Sequence, residues 1–175
     1  MAKTLEIGPG QWKLEGADLL DSEPRDDLTY QATWGEHPLP IPDALYDDVF
    51  ASHVLEHVPW MHTKAALQEV LRILKPGGKL EVWVPDFKFI VENYRQQKCG
   101  DGWRVHNPQA NYMKWVNGRI FTRGPGLENF HRAVFDEEYL RWCLYDAGFA
   151  KSVRLAYKKR GRSHGDLEIG MEAFK

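Results

Sequence analysis

The chain has 175 residues, 23 Lys plus Arg against 25 Asp plus Glu, and a formal charge of -2. That length suits one α/β domain with its own core and excludes two, and the balanced charge gives no global field for nucleic acid or an anionic membrane. No apolar run approaches the roughly 20 residues that cross a bilayer, and MAKTLEIGPG lacks the basic and apolar regions of a signal peptide, so a cytoplasmic location is expected.

Thr4 to Ile7 form a short apolar strand that stops at Gly8-Pro9-Gly10, a tight glycine turn. Residues 13–20 carry a second strand signal and residues 28–33 a third. Residues 46–54, YDDVFASHV, follow the turn-rich PLPIPDA and carry the β-branched and aromatic content of a buried strand. The period then changes: Leu67, Val70, Leu71 and Leu74 fall on one face of a helix over residues 63–74, stopped by Pro76-Gly77-Gly78. Residues 79–85, KLEVWVP, are strand-like again, which completes a right-handed βαβ crossover in a parallel sheet.

A helix is expected over residues 87–97 with Ile90, Val91 and Tyr94 inward. Residues 99–135 are rich in Gly, Asn, Trp, Arg and His and far exceed an ordinary connection, which predicts a functional segment: a lid or acceptor-binding insertion within one domain over residues 1–175. It holds Trp103, Arg104, His106, Tyr112, Trp115, Arg119 and Arg123. Asp136 caps a helix through Leu140, Cys143, Leu144 and Ala147 that Gly148 ends. Residues 153–157 and 167–174 flank Lys158, Lys159, Arg160, Gly161 and Arg162 as an antiparallel hairpin at the sheet edge. Cys99 and Cys143 are the only cysteines, and without a CxxC pair or a Cys/His cluster no metal site is expected.

Chemistry concentrates at Glu6, Gly8, Pro9 and Gly10. Glycine lets a backbone approach a ligand closely, and a carboxylate beside the turn suits an ammonium group. A dinucleotide site wants GxGxxG with a pyrophosphate over a helix N-terminus; here the run is GPGQWK, and the adjacent acid repels phosphate, which disfavours a nicotinamide-dependent reductase.

In the order and spacing of LEIGPG, YDDVFASHVLEHVPW and LRILKPGGKLEVWVPDF the chain resembles the class I S-adenosylmethionine-dependent methyltransferases. More narrowly it is similar to small predicted methyltransferases of the type 11 kind, often associated with polysaccharide gene clusters, that lack the helix between the first two strands. The spacing agrees: eight positions from Gly10 to Asp18 leave no room for two helical turns and a strand at about 1.5 and 3.3 Å per residue. The resemblance implies a Rossmann-like sheet, mostly parallel, with an antiparallel C-terminal hairpin and a shortened start. It implies S-adenosylmethionine as cofactor, a small-molecule or saccharide-like acceptor, and no nucleic-acid or membrane partner; the oligomeric state stays open.

Carried over residue by residue, the resemblance makes Glu6, Gly8, Pro9 and Gly10 the methionine-side turn. Asp18 becomes the ribose acid, with Asp21 competing, and Ser52, His53 and Leu55 face the cofactor. Trp34 falls where the family often has an acid that holds the adenine amine, so adenine stacking and core filling are both open to it, and Leu39 is a further cofactor-binding residue. Methyl transfer is an in-line displacement at a sulfonium and needs alignment more than a nucleophile; a base is required only for an acceptor that must lose a proton, and His131, Asp86 and His53 are the candidates. Two functions follow: methyl transfer, or cofactor binding by a scaffold without catalysis.

Overall fold

The computed structural model describes residues 2–99, 111–121, 129–157, 160–161 and 163–175. The sequence expectations on Trp103, Arg104, His106, Arg123, Lys158, Lys159 and Arg162 lie outside the described residues. The strands are β1 (Thr4–Ile7), β2 (Asp18–Asp21), β3 (Tyr30–Gln31), β4 (Tyr46–Ser52), β5 (Leu74–Pro85), β6 (Lys151–Leu155) and β7 (Glu168–Phe174). The helices are α1 (Thr63–Ile73), α2 (Phe87–Arg95), α3 (Tyr112–Ile120) and α4 (Glu137–Ala147).

All seven strands join one sheet in the order β3-β2-β1-β4-β5-β7-β6. The first five run parallel, and β7 is antiparallel to both β5 and β6. This is the Rossmann-like arrangement expected, and no helix forms over residues 8–17. Among the described residues no helix is long and apolar enough to cross a membrane.

Pleating divides the sheet into unlike faces. Leu5, Ile7, Val49, Ala51, Leu80, Val82 and Met171 point one way into the main core, against Ala66, Leu67, Val70 and Ile73 of α1 and Leu140, Cys143 and Leu144 of α4. Each of the Leu, Ile, Val and Met side chains among them stabilises the fold by about 1.5–3 kcal/mol relative to exposure. The caps read from sequence close α4: the Asp136 carboxylate accepts the Tyr139 N–H at 2.8 Å, and Gly148 ends the helix at φ 108°.

The other face carries Glu6, Asp48, Phe50, Ser52, Glu81, Trp83 and Glu172 by the same alternation. Here Arg160 reaches in from the loop between β6 and β7. Its guanidinium pairs with Asp48, lies 2.7 Å from a Glu81 oxygen and sits 4.9 Å above the Phe50 ring. Lys79 pairs with Glu172, and the Trp83 indole N–H donates to Glu81 at 2.7 Å. Asp48, Glu81 and Glu172 are thus each paired with a cation on this face.

Two expectations need correction. Val91 and Tyr94 are not inward: α2 buries Ile90 alone, against Trp115 and Val116 of α3 and Leu167, and leaves the other two exposed. Residues 99–135 are not one irregular connection, because α3 forms inside them, capped by an Asn111 side chain that accepts the Met113 N–H at 2.7 Å and anchored by a fully buried Trp115.

Candidate cofactor site

Two adjoining hollows open at the carboxyl edge on either side of the Gly8 turn. The first, about 370 Å³, is lined by Ile7, Gly8, Asp21, Ser22, Thr33, Trp34, Val54, His57 and Arg132; the second, about 320 Å³, by Glu6, Gly8, Pro9, Gly10, Trp12, Ser52, His53 and His164. Both are of a size that holds part of a small ligand, at the edge where open α/β sheets bind theirs.

The turn requires its glycines. Gly8 has φ 64°, and a Cβ there would lie 2.3 Å from Val54 Cγ2, while its N–H donates to the Leu20 carbonyl at 2.8 Å. Gly10 has φ 53°, and Arg25 donates to its carbonyl at 2.9 Å. With no helix to support it, the loop after the turn is tied down by Glu6, whose buried carboxylate accepts the Leu14 N–H at 2.7 Å. Burial pushes the Glu6 pKa above its ordinary value, more than that N–H and the distant Arg160 and Arg25 pull it down.

Asp18 is not at the cofactor edge. It opens β2 opposite Leu5, accepts the Tyr46 hydroxyl at 2.7 Å and lies 3.2 Å from the Lys3 ammonium. Three residues of strand, about 10 Å, separate it from the carboxyl end. Asp21 stands at that end and lines the first hollow. Both ends of this short strand are aspartates, and the strand starts later than residue 13, which shifts the terminal acid from Asp18 to Asp21.

Trp34 lines the same hollow but is 4% exposed, with its indole N–H held by the Ala66 carbonyl at 2.8 Å, so it is a core residue showing an edge to the cleft. Leu39 and Leu55 lie in the main core and border neither hollow; the Leu39 N–H donates to Glu69 at 2.8 Å. Their apolar character serves packing. Val54, His57, Val58 and Arg132 border the first hollow in addition to the residues expected.

Of the three proton-acceptor candidates, Asp86 caps α2, accepting the N–H groups of Lys88 at 2.9 Å and Phe89 at 3.3 Å. Both bonds fall on its Oδ1, the oxygen turned to the helix. His53 follows β4 in a left-handed conformation, φ 57°, uncommon for a residue with a Cβ, with its imidazole between Glu168 at 2.9 Å and Glu56 at 3.3 Å. His131 shares a 3.2 Å hydrogen bond with the Arg119 carbonyl, packs edge-on to His57 at 5.0 Å and lines a third hollow of about 380 Å³ with Trp60, Phe121, Val134 and Tyr139. Burial lowers the His131 pKa despite the attraction of Glu56, so the neutral imidazole is favoured.

A family profile described as "Methyltransferase domain" matches residues 3–152. The chain belongs to the methyltransferase family. The methyl donor that goes with this family, S-adenosylmethionine, is the cofactor of this methyltransferase. It is 29% identical over 121 residues to the ubiquinone/menaquinone biosynthesis C-methyltransferase UbiE of Chromobacterium violaceum, a match covering 65% of this chain and 43% of that protein; the chain thus spans less than half of that relative's length. In fold it is similar to a SAM-dependent methyltransferase of Thermotoga maritima (18% identity, TM-score 0.62, 100% of this chain and 83% of that one). It is also similar to the Burkholderia thailandensis 1,6-didemethyltoxoflavin-N1-methyltransferase, solved with that substrate and S-adenosylhomocysteine (14%, TM-score 0.59, 99% and 71%).

Proposed function

We propose that the protein transfers a methyl group from S-adenosylmethionine, bound across the Gly8 turn, to a small or saccharide-like acceptor held in the hollow beside His131. The observation that carries this reading is the bracketing of the turn: Asp21 stands on one side for the ribose hydroxyls, and buried Glu6 on the other for the ammonium. The cofactor supplies an activated methyl on a sulfonium. The chain supplies alignment, an anionic wall at Glu6 and a hollow lined with aromatic rings that shields the sulfonium from water.

The third hollow adjoins the first through Arg132, and Trp60, Phe121 and Tyr139 give it flat apolar surfaces of the kind that stack on sugar rings or planar acceptors. Asp86 and His53 are already committed to partners. His131 is the candidate left with a neutral imidazole at this hollow, the form that accepts a proton or a metal ion. Arg132 and Ala133, at the end of the proposed lid, are held in place, since both donate to the Glu56 carbonyl, at 2.7 and 3.1 Å.

Calorimetry with S-adenosylhomocysteine tests the site. Asp21→Ala should lose about 1.5–3 kcal/mol of binding if its carboxylate accepts both hydroxyls. Asp18→Ala should leave affinity unchanged and instead cost about 1–3 kcal/mol of stability by removing the carboxylate that accepts the Tyr46 hydroxyl. Equal affinity in both variants overturns the ribose assignment. Release of S-adenosylhomocysteine across an acceptor panel then tests turnover; tight binding with none would mark the chain as a non-catalytic cofactor-binding protein.

A further inference from the structure

Glu56 sits in the 3-10 turn Leu55–His57, two residues after the end of β4, and is 1% exposed. Among the described residues neither of its oxygens makes a hydrogen bond, and the buried Nδ1 of His57 makes none either. A buried carboxylate normally acquires hydrogen bonds or a cation. What faces it is histidine: His53 Nδ1 at 3.3 Å, His57 beside it in the chain, and His131 from the far side of the cleft. One ligand atom from each of Glu56, His57 and His131 lies within 4.8 Å of the other two.

Two more features fit ligation. A metal-bound imidazole usually donates its second N–H to a carbonyl or carboxylate, which fixes the tautomer, and the Nδ1 of His131 is already placed against the Arg119 carbonyl at 3.2 Å, leaving Nε2 for a ligand. The segments bearing the ligands are also stitched together, because the Glu56 carbonyl takes both the Arg132 and Ala133 N–H groups. We propose that Glu56, His57 and His131 bind one divalent transition-metal ion, zinc first among them, between the cofactor cleft and the acceptor hollow.

Two imidazoles with one carboxylate suit Zn(II), Co(II), Fe(II) or Mn(II), whereas Mg(II) and Ca(II) prefer sets made of oxygen. Three protein ligands leave a coordination position open. His57 lines the first hollow and His131 the third, so the ion stands where a hydroxyl or carboxylate oxygen of the acceptor can reach it, be oriented and, for a hydroxyl, be made more acidic. That last role rests on the methyl-transfer reading; the binding of the ion does not.

The test uses untagged full-length protein stripped with a chelator and dialysed. Zinc chloride is titrated by calorimetry and cobalt chloride by visible absorption, whose ligand-field bands report nitrogen and oxygen coordination at one site. One equivalent is expected, weakened at least about tenfold by His131→Ala and by Glu56→Gln, each shown to be folded by circular dichroism. Absence of saturable binding to folded wild-type protein, or binding that His131→Ala and Glu56→Gln both leave unchanged, overturns the site. S-adenosylhomocysteine titrated into the same preparation separates the two readings: retained nucleoside binding without zinc binding rejects the metal site alone, and zinc binding without nucleoside binding rejects the cofactor cleft alone.

Discussion

The two faces of the sheet solve opposite problems with the same seven strands. On the α1 and α4 side, Leu5, Ile7, Val49, Ala51, Leu80, Val82 and Met171 make an ordinary apolar layer. On the other, Glu6, Asp48, Glu81 and Glu172 stand where hydrophobic side chains would be cheaper, balanced by Arg160 and Lys79. The first face makes the protein stable, and the second spends stability on charge next to the Gly8 turn. A sheet missing its first helix keeps that second face under a loop, and ion pairs rather than packing hold the cover down.

The contrast breaks most visibly if the apolar face is cut. Leu67→Ala, at a fully buried α1 position, should cost about 2–5 kcal/mol in urea unfolding. A loss as small as that of a surface mutant would mean that α1 is not part of the folding core. Arg160→Met should cost less, about 1–3 kcal/mol, because it strands Asp48 and Glu81 with their charges while its own side chain is 27% exposed and already partly screened. A neutral result would show that the polar face needs no ionic cover.

The smallest effect belongs to Glu6→Gln. Burial raises the folded pKa of Glu6 above its ordinary value near 4.5, so its contribution to stability is present below that value and is lost as pH rises through the folded pKa. The glutamine variant should lack this loss and be slightly more stable than wild type at neutral pH, by less than the Arg160 change costs. S-adenosylhomocysteine affinity should move the other way: in wild type it weakens as pH falls through the raised Glu6 pKa, and in the variant it is low and flat across that range. A pH profile shared by both proteins would remove Glu6 from the ammonium site.

Legibility in the sequence followed the same division. The apolar face was written in periods: the Leu67, Val70 and Leu71 stripe of α1, and the Asp136 and Gly148 caps of α4, because burial and capping leave local patterns. The site was written in single residues. Asp18 and Asp21 bound a strand of four residues, too short for any period to say where it begins, so the acid read as closing the strand, Asp18, is the one that opens it. Helix α3 was hidden by Asn, Trp and Gly, poor helix formers that tertiary contact at Trp115 overrides. Nothing in the spacing of Glu56, His57 and His131 announces that they meet, since a distant backbone pairing brings them together.

Residues 8–17, where a helix would ordinarily splint the turn, make Glu6 a shared acceptor. The Leu14 N–H that orders the loop already occupies one of its oxygens, and a cofactor ammonium would draw on the same carboxylate. Order in the loop and occupancy of the cleft are thereby linked through one carboxylate: an ammonium that shared Glu6 with the Leu14 N–H would add to the contact that already ties the loop down, and one that displaced that N–H would loosen it.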